Sequence, residues 1–248
     1  MIIFPMAGLS RRFIDAGYPL PKFMLEAHEK TLFWHAVMGF KLYFESKKFV
    51  FIIRENFETE KFVSEQCKIM GLKNYQIVKL NEATRGQAET VANGLLMLGN
   101  KLSAALTIFN IDTFRPNFSY PTTFDLSEID GYLEVFEGEG LNWSYVLPIS
   151  NISNHVAKTA EKDPISNLCC TGLYFFSDTQ EYLNYYKEFE QRAFSDLKLK
   201  ELYVAPLYNL LINDGLDIRY YKITRKDVIF CGIPEEFESF KNNSFKIN

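Results

Sequence analysis

Three apolar runs constrain this chain most: Ile2-Ile3-Phe4, Phe49-Val50-Phe51-Ile52-Ile53 and Leu106-Thr107-Ile108-Phe109. A run that is apolar at nearly every position has no face to give to water. It fits a strand covered on both sides, as in a parallel sheet flanked by helices. The intervening segments change period. Leu32, Phe33, Ala36, Val37 and Phe40 fall at helical spacing within 31–44, with Thr31 placed to cap them. A helix is expected over 57–70, stopped by Gly71, and a further strand over 75–79. Beyond Gly86, Ala88, Val91, Ala92, Leu95 and Leu96 form one helical stripe. This alternation predicts an α/β fold with a mostly parallel sheet and helices on both faces.

Ligands of such sheets sit beyond the carboxyl ends of the strands. Three loops fall at that edge: Ala7-Gly8-Leu9-Ser10-Arg11-Arg12, the 81–87 stretch with Asn81, Gly86 and Gln87, and the turn holding Asp112. Backbone N–H groups of a glycine turn can converge on an anion. Arginine adds a fork of donors and Lys22 a mobile point charge. The first loop is therefore read as a grip for a nucleoside triphosphate. Neither the Walker pattern nor Gly-x-Gly-x-x-Gly is present.

After residue 115 the pattern loosens. Residues 116–126 look irregular, strands are expected at 132–136, 143–147, 171–176 and 217–223, and 148–159 reads as a polar loop. Helices are expected at 178–193, 205–213 and 234–240. No repeat or linker divides the chain, so one domain over 1–248 is expected, with a nucleotide-binding half (1–115) and a second half (116–248) that carries an inserted substrate subregion.

A formal net charge of −4 argues against general nucleic-acid binding, which needs a broad basic surface. No apolar run is long enough to cross a bilayer and no leader is evident, so no membrane partner is expected. The four cysteines show no metal-ligand spacing, which suits reduced thiols in a cytoplasmic protein. Oligomeric state is not legible.

These motifs, taken in order, resemble the sugar-phosphate nucleotidyltransferases, or NDP-sugar pyrophosphorylases. The likeness spans Ala7 to Phe13 with Pro21-Lys22, then Gly86-Gln87-Ala88 and Asp112. It continues through Glu161-Lys162 with Thr171-Gly172-Leu173-Tyr174-Phe175 to Gly232-Ile233-Pro234-Glu235-Glu236-Phe237. The runs 84–90, 143–146 and 203–206 are similar to a bacterial branch common among capsule and lipopolysaccharide synthesis proteins.

The resemblance implies a Rossmann-like (GT-A-like) fold and a Mg²⁺-dependent reaction. In it, a nucleoside triphosphate and a sugar phosphate, or another phosphomonoester, give an NDP-sugar and pyrophosphate. Arg12, Lys22 and Asp112 take the catalytic roles, with Asp112 the magnesium ligand. Ala7, Gly8, Leu9, Ser10, Asn81, Gly86 and Gln87 would hold the nucleotide; Glu161, Lys162, Thr171 and Gly172 would hold the acceptor. Two departures stand out. Ser10 replaces a usual second glycine, and Phe230 stands where many relatives carry a second metal-binding aspartate. They keep open a catalytically impaired nucleotide sensor. A glycosyltransferase is disfavoured because Asn110-Ile111-Asp112 is not an Asp-x-Asp pair. The nucleobase and the acceptor are not specified.

Overall fold

The computed structural model describes residues 1–99, 103–193 and 201–243. The strands are β1 (Ile2–Pro5), β2 (Glu26–Ala27), β3 (Lys30–Thr31), β4 (Phe49–Arg54), β5 (Tyr75–Leu80), β6 (Leu106–Phe109) and β7 (Thr113–Phe114). They continue with β8 (Gly131–Glu137), β9 (Ser144–Pro148), β10 (Val156–Glu161), β11 (Leu168–Phe176), β12 (Ile218–Ile223) and β13 (Ile229–Phe230). The helices are α1 (Arg11–Asp15), α2 (Leu32–Met38), α3 (Thr59–Met70), α4 (Gln87–Leu98), α5 (Thr179–Ala193), α6 (Tyr208–Asn213) and α7 (Pro234–Asn242).

Nine strands form one mixed sheet in the order β10-β9-β11-β6-β1-β4-β5, with β8 joining β11 to β12 off that path. β1, β4, β5 and β6 run parallel, in keeping with the unbroken apolar runs of β1, β4 and β6, while β5 at the sheet edge carries polar positions. β11 runs antiparallel to β6 and carries the second half. Side chains alternate between the two faces. Ile3, Val50 and Ile52 pack under α4, α5 and α6. Ile2, Phe4, Phe49, Phe51 and Ile53 pack under α2, α3 and α7. The second face holds most of the phenylalanines; Phe4 alone meets Phe40, Phe49, Phe51 and Phe109 with centroids 5.6–6.4 Å apart. Each such ring, fully buried, contributes about 1.5–3 kcal/mol.

The structure departs from the expected elements in three places. Val156–Glu161 is a strand, although its alternating Val-Ala-Lys-Thr-Ala-Glu looks loop-like. It lies at the sheet edge, so half its side chains face water, and Asn209 on α6 bonds both the N–H and C=O of Thr159. The expected 205–213 helix is a 3-10 turn followed by α6. Two short ladders, β2 with β3 and β7 with β13, are too brief to leave a periodic signal. The second of these brings Phe230 and Gly232 beside Asp112.

At β11 the ladder to β8 skips: Cys170 pairs with Val135 but Tyr174 with Leu133. The extra residues, around Thr171 and Gly172, bulge toward the carboxyl ends of the parallel strands. A bulge re-aims side chains at a sheet's working edge.

Candidate active site

A cavity of about 1010 Å³ opens along that edge. The loop after β1 forms one wall. Ser10 holds a left-handed conformation at φ 51°, and its hydroxyl accepts the Lys22 backbone N–H at 3.3 Å. The Lys22 segment is thereby tied to the glycine loop. Lys22 Nζ reaches Asp112 Oδ2 at 2.5 Å, with the two side chains 23% and 18% exposed. Arg11 and Arg12 open α1 at the mouth of the cavity, and neither guanidinium has a partner among the described residues.

Asp112 is fixed from behind, since its carbonyl accepts the Cys231 N–H at 2.8 Å. Beside it Gly232 leaves a bare space. A Cβ there would sit 3.2 Å from Asp112 Oδ2 and 3.6 Å from Glu236 Oε2. Glu236 accepts the Gly232 N–H at 2.8 Å. Burial pushes its carboxyl up, the Gly232 and Ile233 N–H groups pull it back, and Asp112 raises it again.

The wall expected to face the nucleotide is the 84–87 loop. Gly86 presses against Leu202, where a Cβ would lie 2.5–2.8 Å from backbone atoms. Leu202 N–H donates to Arg85 C=O, and Ala88 N–H donates to Leu202 C=O, both at 2.9 Å. Gln87 Nε2 donates to Asn110 Oδ1 at 2.5 Å, directly beneath Gly172, whose φ of 93° requires glycine. Arg85 is clasped by Glu89 and Glu190, so it braces the loop.

On the side expected to take the acceptor, Lys162 sits at φ 55° with its N–H held by the Trp143 carbonyl at 2.8 Å. Its ammonium donates to the Tyr203 hydroxyl at 2.7 Å and lies 3.9 Å from Glu161. Burial pushes the Glu161 carboxyl up, opposed by the Ser144 hydroxyl and Lys162. Trp143 faces the cavity against Phe230, their rings 4.6 Å apart. Tyr145 is core.

The cavity collects Ala7, Gly8, Leu9, Ser10, Arg12, Lys22, Gly86, Gln87, Asp112, Glu161, Lys162, Thr171 and Gly172. Two expectations change. Asn81 is exposed and lines a separate cavity of about 440 Å³ with Arg54, Glu55, Lys79 and Leu80. Thr171 is buried, and its hydroxyl donates to Glu134 Oε1 at 3.0 Å, so its side chain braces the floor. Glu134 is itself gripped by the Arg115 Nε at 2.9 and 3.0 Å. Asn110, Tyr203 and Glu236 also line the cavity and were missed. All three lie within stretches that carry the resemblance, and for Asn110 its position directly after β6 was the available signal.

Among the described residues no three His, Cys, Asp or Glu side chains gather to hold a metal. Magnesium needs only one or two carboxylates when substrate phosphates supply the remaining oxygens. Asp112, facing the open side of Gly232, fits that requirement.

No family profile and no curated protein matches the chain. Among solved structures, a nucleoside-diphosphate-sugar pyrophosphorylase from Vibrio cholerae RC9 is 49% identical with a TM-score of 0.93, covering 98% of this chain and 100% of that one. The chain belongs to the nucleoside-diphosphate-sugar pyrophosphorylase family. An inositol-1-phosphate CTP transferase from T. maritima shares the fold at 14% identity and TM-score 0.71, covering 99% of this chain and 97% of that one. A UDP-glucose pyrophosphorylase complexed with UDP-glucose does so at 15% identity and TM-score 0.73, covering 97% and 96%. This pyrophosphorylase-family chain has no helix among its described residues long and apolar enough to cross a membrane.

Proposed function

We propose that this chain transfers a nucleotidyl group from a nucleoside triphosphate to a sugar phosphate, or a similar phosphomonoester, releasing pyrophosphate. The observation that carries the reading is the convergence of Arg12, Lys22, Asp112, Glu161 and Lys162 on one cavity.

The reaction joins two anions. An oxygen of the acceptor phosphate attacks the α-phosphorus in line, and the bond to the bridging oxygen of pyrophosphate breaks. No covalent enzyme intermediate is needed, because the nucleophile is already an anion. The protein's work is placement and charge. Arg12 holds the β- and γ-phosphates and takes up charge on the departing pyrophosphate. Lys22 leaves Asp112 for the α-phosphate, a change its partly exposed, unbranched chain permits. Lys162 binds the acceptor phosphate and Glu161 a hydroxyl of the acceptor. Gln87, steadied by Asn110, and the backbone of Gly8 and Gly86 face the nucleotide. Mg²⁺, held by Asp112, would neutralise triphosphate charge.

We place the reaction in the cytoplasm of a bacterium, supplying activated sugars for capsule or lipopolysaccharide. The runs at 84–90, 143–146 and 203–206 support that setting.

The test begins with thermal shifts against CTP, UTP, GTP, ATP and dTTP with and without Mg²⁺, since a native-state ligand raises stability by mass action. The preferred triphosphate then enters a pyrophosphate-release screen of phosphorylated acceptors, with Asp112→Asn as control. Release that Asp112→Asn abolishes supports the proposal. No shift with any triphosphate overturns it, and a shift without release across the acceptors favours a nucleotide sensor.

A further inference from the structure

Phe230 cannot ligate a cation; it is 9% exposed and packed against Trp143 and Phe136. The carboxylate that does face Asp112 comes from one turn further on. Glu236, on α7, points back over Gly232 toward the same space as Asp112, and a methyl group on Gly232 would touch both carboxylates. The gap is kept by the lack of a side chain. Gly232 is not in a left-handed conformation, so backbone geometry alone does not call for glycine here. The Lys22 ammonium rests on Asp112 Oδ2, the same oxygen that faces Gly232. A cation is thus already accommodated at this carboxylate.

Resting on the transferase reading above, we propose that Glu236 is the second protein carboxylate toward the divalent cation, acting with Asp112 across Gly232. Two carboxylates and triphosphate oxygens make the hard, all-oxygen surroundings that Mg²⁺ prefers. Glu236 also caps α7 through the Gly232 N–H. That second role offers a rival explanation for its position, and the experiment separates the two.

Calorimetric titration with the preferred triphosphate is performed in EDTA and in excess Mg²⁺. Wild type binds more tightly with Mg²⁺. Glu236→Gln keeps an oxygen to accept the Gly232 N–H, so the cap persists. It should lose the Mg²⁺-dependent gain by at least about tenfold, while binding in EDTA stays equal or tightens because a negative charge has gone. Gly232→Ala supplies a second route, filling the gap while leaving both carboxylates in place, and should also lose the gain. Weaker binding by Glu236→Gln to the same extent in both buffers would assign Glu236 to the cap alone and overturn the proposal. A Mg²⁺ gain preserved in both variants but lost in Asp112→Asn would overturn it while leaving the transferase reading intact. A wild type that binds no triphosphate would overturn both.

Discussion

Removing Arg115 should be among the most damaging single changes that leave the cavity lining untouched. Arg115 and Glu134 have side chains only 9% and 1% exposed. Arg115 Nε grips both Glu134 oxygens at 2.9 and 3.0 Å, Thr171 adds a third bond at 3.0 Å, and an Arg115 terminal nitrogen reaches the Asp227 carbonyl at 3.1 Å. Arg115→Met leaves Glu134 buried with only the threonine. Breaking a buried pair from one side costs about 3–5 kcal/mol. At about 2–4 °C per kcal/mol for a domain of this size, Tm should fall by roughly 6–20 °C.

The sign of the pH dependence follows from Glu134. Burial already holds its carboxyl above the ordinary 4.5, with Arg115 opposing. Without Arg115 the folded value climbs further. Between the unfolded and folded values the folded state then binds more protons, so stability falls as pH rises. The penalty of Arg115→Met should therefore be small near pH 4 to 5 and grow toward neutrality. Urea melts across that range, with Arg115→Met/Glu134→Leu as the second arm, measure it. Recovery of most of the loss in the double variant is expected. A loss under about 1 kcal/mol at neutral pH, a typical single-mutation effect, or a pH-flat loss with no recovery, would refute the reasoning.

Gly86→Ala should loosen the 84–88 loop from Leu202, lowering stability by about 1–3 kcal/mol and raising KM for the triphosphate, measured by melts and initial rates. Arg12→Ala should lower kcat by about 10²–10³ with little change in Tm, because its guanidinium has no partner among the described residues. Glu161→Gln should raise Tm at neutral pH, where a buried ionised carboxylate is replaced by an amide, and should raise KM for the acceptor. In wild type the acid limb of acceptor KM should lie above the ordinary glutamate value of 4.5, since burial makes Glu161 harder to ionise; a limb below it would contradict that assignment.

The parallel half was legible because burial on both faces writes itself into composition: Phe49 to Ile53 has no polar position to mislead. β10 was not, since an edge strand with one wet face and a side-chain clasp from Asn209 resembles a loop locally. The site was legible to the extent that its residues lie at strand ends. Asn81 follows β5 as Asp112 follows β6, yet β5 is the last strand of the sheet, and Asn81 lines a cavity separate from the central one. Thr171 shows the other limit. The resemblance assigned it to the acceptor, but the direction of its hydroxyl depends on Glu134, distant in sequence and adjacent only through the β8–β11 ladder.

The two backbone bonds between Leu202 and the 85–88 segment bear on how such a chain could be redesigned. The loop proposed to flank the triphosphate and the wall that carries Tyr203 are one hydrogen-bonded unit, sealed at Gly86 by contact too close for any side chain. On the proposed function, acceptor preference is therefore not a detachable module. A graft that imports residues 201–204 from a relative must bring that relative's 85–88 with it. Otherwise the new wall will stand at the wrong height over the old floor, and a change intended for one substrate will be read out as lost affinity for the other.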